Sequence, residues 1–205
     1  MSDLTSSRKH EVAKVRIIAG SAKGRILATP AGVTRPTSDR TREGIFSALE
    51  SEIGTCAGIS FLDLFAGTGA VGLEALSRGA AEVLAVEKDV KAANVCRDNY
   101  DVVKSETSGK FSVLRMSVDT FLEMEGEKLS KFDVAYLDPP YELANSSVEK
   151  VLEKLPVKNL LKPNSVVVVE RASRSQPFTW PEALNPLKVR KYGEGTAYFA
   201  IFEFR

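Results

Sequence analysis

Residues Ile59–Gly72 read ISFLDLFAGTGAVG and run on into LEALSR. Ile59, Phe61, Leu62 and Leu64 make a short apolar run suited to a buried parallel strand. Gly67 and Gly69 allow a tight turn and a close backbone approach to a ligand. The helix that follows would point its first amides at whatever is bound. Gly67-Thr68-Gly69-Ala70-Val71-Gly72 spells GxGxxG, which alone is equally the turn of an ordinary βα unit. Asp63 adds to it an acid near the carboxyl end of the strand, suited to a cationic or amine-bearing ligand.

A second strand, Val83 to Val86, ends in Glu87, 24 positions beyond Asp63. An acid at that place binds the two hydroxyls of a ribose. Acid, glycine loop and second-strand acid together resemble the S-adenosylmethionine site of the class I, Rossmann-like methyltransferases. The resemblance implies that Asp63 and the loop Phe65, Ala66, Gly67, Thr68 and Gly69 hold the methionine moiety, and Glu87 the ribose.

The 205 residues, 43% hydrophobic and 27% charged, suit one soluble α/β domain with a small appendage. Apolar runs are only strand-length, and the amino terminus lacks the core of a signal peptide; a cytoplasmic protein is expected. Cys56 and Cys96 form neither a disulfide framework nor a metal spacing, and His10 is the one histidine. No metal is therefore expected, and catalysis falls to carboxylates, backbone and aromatics. Residues 1–42 hold nine Lys and Arg against three Asp and Glu, whereas the remainder holds nineteen against twenty-four. A basic arm on a mildly acidic body suggests nucleic-acid contact, with residues 1–13 read as a solvated tail.

VRIIAG and GRILATP form a candidate β-hairpin carrying Arg16, Lys23 and Arg25. RPTSDRTRE, with Arg35, Arg40 and Arg42, then leads into a helix that Ser38 or Asp39 can cap; it reads as a phosphate-binding surface, or as a salt-bridged entry loop. Gly79 ends the helix after the glycine loop, and Asp89 caps the next, Val90 to Asn99. A third strand, Phe111 to Arg115, is followed by Asp119, which either meets the adenine amino group of a cofactor or caps a helix from Thr120. Ser146 and Glu149 suggest a capping box for a helix whose core face is Val148, Val151, Leu152 and Leu155. Ser165–Glu170 reads as a fully buried strand, LKVRKYG and TAYFAIFEF as a closing antiparallel pair, and Trp180 as loop packing.

In KFDVAYLDPPY, the strand Val134–Leu137 runs straight into Asp138-Pro139-Pro140-Tyr141. Two prolines remove two backbone donors, so the turn displays acceptors, the Asp138 carboxylate and carbonyls, beside an aromatic ring. An exocyclic base amine needs that surrounding. Its lone pair is delocalised into the ring, and acceptors that grip its hydrogens favour pyramidalisation while the aromatic stacks on the base.

Strand–helix alternation from residue 59 to about 170 predicts a doubly wound, mostly parallel sheet, with Asp63, Glu87, Asp119 and Asp138 at carboxyl ends of strands. From Val15 onward the chain resembles the RsmD-type 16S ribosomal RNA guanine-N2 methyltransferases. The resemblance is carried by VRIIAGSAKGR, RPTSDRTREGIF, DLFAGTGAVGLEALSRGA, Glu87 and LDPPY; Tyr141 stands where many relatives carry Phe. It implies a basic RNA-contacting extension over residues 1–50 and a methyltransferase domain over 51–205. It further implies S-adenosyl-L-methionine as cofactor, and ribosomal RNA within a small-subunit assembly particle as partner of a monomeric enzyme. Asp138, Pro139, Pro140 and Tyr141 would hold the guanine amine, with Asp138 also close to the cofactor. A DNA adenine-N6 or cytosine-N4 methyltransferase shares the DPPY chemistry but leaves little chain for sequence reading. A nicotinamide oxidoreductase would not need Asp63 or DPPY, and a non-catalytic RNA-binding module would not need Asp138 and Tyr141.

Overall fold

The computed structural model describes residues 15–29, 38–124 and 130–203. The solvated-tail reading of 1–13, His10 and Arg35 lie outside them. A short antiparallel hairpin, β1 (Val15–Arg16) and β2 (Ile26–Leu27), precedes helix α1 (Asp39–Ile53). Five parallel strands follow: β3 (Ser60–Leu64), β4 (Glu82–Glu87), β5 (Lys110–Arg115), β6 (Phe132–Leu137) and β7 (Leu161–Ala172). They alternate with α2 (Ala70–Ser77), α3 (Val90–Val103), α4 (Val118–Leu122) and α5 (Asn145–Val157). The hairpin of β8 (Leu184–Tyr192) and β9 (Gly195–Phe202) completes a sheet of order β5-β4-β3-β6-β7-β9-β8. The chain winds outward from β3 to β5, crosses back to β6 and winds the other way. The crossing point between β3 and β6 is where such sheets bind ligands. No helix among the described residues is long and apolar enough to cross a membrane.

Alternation along the strands divides the core. Phe61, Val134, Tyr136, Val166 and Val168 face α1, α2 and the hairpin, while Leu62, Leu64, Ala135, Leu137, Val167 and Val169 face α4 and α5. Asp63 shares the parity of Phe61 and is thereby buried under α2. Phe46 of α1 stacks on Phe61, which stacks on Tyr136, with centroids 6.3 and 6.5 Å apart. Val15, Ile17, Ala22 and Leu27 join the same cluster, so the amino-terminal extension and the sheet share one core, and the expected boundary at residue 50 falls within α1.

Several local expectations change. The box of Ser146 and Glu149 does not form: Ala144 is the N-cap of α5 without a side-chain bond, and Glu149 Oε1 accepts from the Thr179 amide at 2.8 Å. Helix α4 starts at Val118, capped by Ser117, which accepts from Thr120, so Asp119 lies in the first turn and is not the cap. Ser38 and Asp89 cap α1 and α3 as expected, although α3 runs on to Val103. Trp180 packs edge-on against Phe178 in a loop, with Phe178 likewise against Tyr198.

The hairpin is tied down by polar groups of α2. Glu74, fully buried, accepts from the amides of Ile18 at 2.8 Å and Ala19 at 3.0 Å and from Arg78 Nε at 2.9 Å. Ser77 Oγ donates to the Ala19 carbonyl and accepts from the Ala22 amide. Arg78 also lies over the Phe46 ring, 4.8 Å from its centroid. Glu74→Ala strands two amides and leaves Arg78 only its Glu50 partner at 3.2 Å; a loss of about 3 kcal/mol in urea unfolding is expected. A change below about 0.5 kcal/mol would mean that the apolar contacts hold the hairpin alone.

Candidate active site

The glycine loop is built from unusual backbone. Phe65, with φ of 64°, is left-handed although it is neither Gly nor Asn, and Gly67 and Gly69 follow at 55° and 79°. Gly69 is the N-cap of α2. A β-carbon there would lie 2.4 Å from Cys96 Sγ, whereas one on Gly67 would meet nothing within 4 Å. The second glycine is thus required by packing and the first borders open space. Burial pushes the thiols of Cys56 and Cys96 up, that of Cys56 to about 12, which disfavours the thiolate at both.

Two carboxylates brace this loop from behind. Asp63, 1% exposed, accepts from the Gly72 amide at 2.9 Å. Burial raises its pKa to about 7, against the lowering by that hydrogen bond. Half-buried Glu87, at the end of β4, accepts from the Gly67 amide at 2.8 Å and the Asp89 amide at 2.7 Å. The Ala66 amide donates to the Val86 carbonyl, and Asn99 Nδ2 donates to Thr68 O at 3.0 Å while its Oδ1 accepts from the Ala28 amide. Asn99 therefore joins the exit of the hairpin to the glycine loop. No signal in the sequence marks it.

The second half of the site begins where β6 ends. The Asp138 amide donates to the Leu64 carbonyl at 3.4 Å, which sets the DPPY turn beside the start of the glycine loop. Asp138 is half-buried, Pro139 buried, and Tyr141 51% exposed with its ring at the surface. Beneath the turn Tyr136 donates its hydroxyl to Glu170, a buried pair in which burial raises both pKa values. Arg171, beside Glu170, reaches the turn itself through the Pro140 and Leu143 carbonyls. Glu170 and Arg171 were missed as site residues, although a buried strand ending in two charges at the ligand-binding edge was the available signal.

The acids spread along the rim without clustering: among the described residues no three His, Cys, Asp or Glu side chains are grouped to hold a metal. Asp119 is exposed on the first turn of α4, away from the loop's hydrogen bonds. Of the expected basic residues, Lys23 and Arg40 are exposed, Arg16 pairs with Asp39 at 2.9 Å and Arg25 with Glu106. Arg42 differs: it is 1% exposed, and its guanidinium donates to the Arg16 carbonyl and to Asp39 at 3.0 Å. It is turned inward because its place on α1 faces the core beside Ile45 and Phe46, so it braces the hairpin against α1 and offers no surface charge.

The family model described as Conserved hypothetical protein 95 matches residues 15–201. Ribosomal RNA small subunit methyltransferase D of Haemophilus influenzae is 36% identical over 88% of this chain and 90% of its own length. The protein of the same name in Escherichia coli K12 is 32% identical over 77% and 74%. The solved structure of yhhF from Escherichia coli superposes with a TM-score of 0.80 at 26% identity, covering 94% of this chain and all of the other. A Haemophilus influenzae protein gives 0.73 at 32% identity over the same shares. With the hairpin, glycine loop and DPPY turn all inside the matched residues, the chain has a class I methyltransferase fold and belongs to the Conserved hypothetical protein 95 family, that of the RsmD-type methyltransferases.

Proposed function

We propose that this protein methylates the exocyclic N2 amine of a guanine in small-subunit ribosomal RNA, acting as a cytoplasmic monomer on an assembling particle. One observation carries the reading. The glycine loop and the DPPY turn leave adjacent strands side by side, joined where the Asp138 amide meets the Leu64 carbonyl. Relatives named as ribosomal RNA small subunit methyltransferases support ribosomal RNA as the substrate class.

The residues fit S-adenosyl-L-methionine: open space over Gly67, first-turn amides of α2, Glu87 at the rim for the ribose, and the buried Asp63 carboxyl, which a positive charge would ionise. When bound, the cofactor supplies an electrophilic methyl group. Phe65, Ala66, Thr68 and Gly69 shape the cradle, and Asp119 is a candidate for the adenine amine. Asp138 and the prolyl carbonyls accept from the guanine amine and turn its lone pair outward, Tyr141 stacks on the base, and the proton released after transfer goes to Asp138 or water. Residues 1–50 serve RNA contact and 51–205 the transfer. Lys23, Arg40, Arg16 and Arg25 form the RNA surface together with Arg35, which lies outside the described residues; the ion pairs of Arg16 and Arg25 are exposed and easily exchanged for phosphate.

The deciding experiment supplies methyl-labelled cofactor with undermethylated small-subunit particles, naked ribosomal RNA or DNA, and identifies the labelled nucleoside. N2-methylguanosine is expected; N6-methyladenine would overturn the assignment. Asp138→Ala should lower kcat about 100-fold or more with cofactor affinity unchanged, and undiminished turnover would remove Asp138 from its role.

Asp63 gives a pH dependence. Its carboxyl is neutral in the folded protein below about pH 7, while the unfolded chain ionises it above its ordinary 3.8. Its burial therefore costs stability increasingly as pH rises through that window, and the cost is complete above pH 7. A cationic ligand favours the ionised form, so below about pH 7 binding expels a proton, and affinity rises with pH until about 7. Calorimetry in buffers of different ionisation enthalpy measures that proton, which should vanish in Asp63→Asn.

For the RNA surface, neutralising Lys23, Arg25 and Arg40 should flatten the slope of log affinity against log salt by about one per lost contact. Arg42→Gln should instead lower the unfolding midpoint and leave the slope unchanged. A changed slope for Arg42→Gln would return it to the interface.

A further inference from the structure

The turn that grips the amine has a difficulty in its own sequence. Pro139 and Pro140 carry no N–H, so two consecutive residues cannot tie the main chain to anything by donation. The neighbouring backbone bonds are the long one from the Asp138 amide to the Leu64 carbonyl, 3.4 Å, and a local one from the Leu143 amide to the Pro140 carbonyl, 2.9 Å. A donor must come from elsewhere. Arg171, near the carboxyl end of β7, supplies three: Nη1 to the Pro140 carbonyl at 3.3 Å, Nη2 to the Leu143 carbonyl at 2.7 Å and to Asn145 Oδ1 at 3.2 Å. Asn145 in turn donates through Nδ2 to the carbonyls of Gln176 and Pro177, extending the brace to the loop after β7.

This arginine is an expensive way to hold a loop. It is 3% exposed, and its Nε is buried without a hydrogen-bond partner among the described residues. Replacing such a buried cation by an apolar side chain is often neutral or stabilising for a fold. What an apolar side chain cannot do is occupy carbonyls. The Pro140 carbonyl takes both the Leu143 amide and the Arg171 guanidinium.

We propose that Arg171 is a positioning residue for methyl transfer. Its guanidinium fixes Pro140, Leu143 and Asn145 and so holds in one arrangement the turn that carries Asp138 to the target amine. The proposal rests on the reading of the site as an amine methyltransferase. It adds the cation that holds the donor-poor turn from the neighbouring strand. A planar, forked donor suits the task because the Pro140 and Leu143 carbonyls are taken by separate nitrogens, whereas a lysine offers a single nitrogen without that fork.

The test compares the full-length wild type with Arg171→Ala and Arg171→Lys. Cofactor affinity is measured by calorimetry, kcat and KM on undermethylated small-subunit particles, and hydrogen exchange at the Leu143 amide. For Arg171→Ala we expect kcat about 100-fold lower, with cofactor affinity and KM unchanged and faster exchange at Leu143. Millimolar guanidinium should restore part of that kcat and methylammonium should not; Arg171→Lys should fall between. Wild-type kcat in Arg171→Ala, a loss confined to cofactor affinity, or equal rescue by both cations would overturn the proposal. Should Arg171→Ala fail to fold, Arg171→Lys decides, and wild-type kcat with wild-type exchange at Leu143 overturns the forked clamp. A wild type that methylates no RNA would remove the amine-transfer reading, while exchange at Leu143 would still test the clamp.

Discussion

Helix α2 lies on β3 and β4 only because position 72 has no side chain. A β-carbon there would come within 2.9 Å of Val83 Cγ1 and 3.1 Å of Asp63 Oδ2. The close approach brings the Gly72 amide onto the Asp63 carboxylate and points the start of the helix at the switch between β3 and β6. The rest of the amino-terminal half hangs from the same helix: Glu74 and Ser77 hold the turn of the hairpin, and Arg78 reaches Glu50 of α1 and covers Phe46. One helix thus registers the glycine loop at its first turn and the extension at its last.

That arrangement explains which parts of the molecule could be read from sequence. The strand, glycine turn and helix are local, and their signals of apolar run, GxGxxG and terminal acids fall within a few residues of one another, as do the Pro-Pro turn and its strand. Arg42 was misjudged because charge was read along the chain, whereas its burial follows from the helical face it shares with Ile45 and Phe46. The box of Ser146 and Glu149 was misjudged because Glu149 had a distant competitor in the Thr179 amide, thirty residues on. Glu74 was invisible as the anchor of the hairpin for the same reason, since its partners Ile18 and Ala19 are more than fifty residues away. Local propensity gives way where a distant partner competes for the same group.

The two halves of the site solve opposite problems of backbone satisfaction. The glycine loop is rich in N–H groups held near a bend, and anions brace it: Asp63 takes the Gly72 amide, Glu87 those of Gly67 and Asp89. The Pro-Pro turn is rich in carbonyls and poor in donors, and a cation braces it through Arg171. Each charge lies behind its loop and leaves the front for a ligand of the opposite need. Donor-rich backbone is thus balanced by carboxylates, and acceptor-rich backbone by a guanidinium.

The same division bears on electrostatics at the rim. Asp63 feels Glu87, which pushes its pKa further up, so a positive ligand between the strands relieves a repulsion already present. Asp138 faces the Arg171 guanidinium, and its negative charge supports the cation that burial disfavours. Two acids near the ends of adjacent parallel strands thus have different surroundings: another carboxylate for Asp63 and a guanidinium for Asp138.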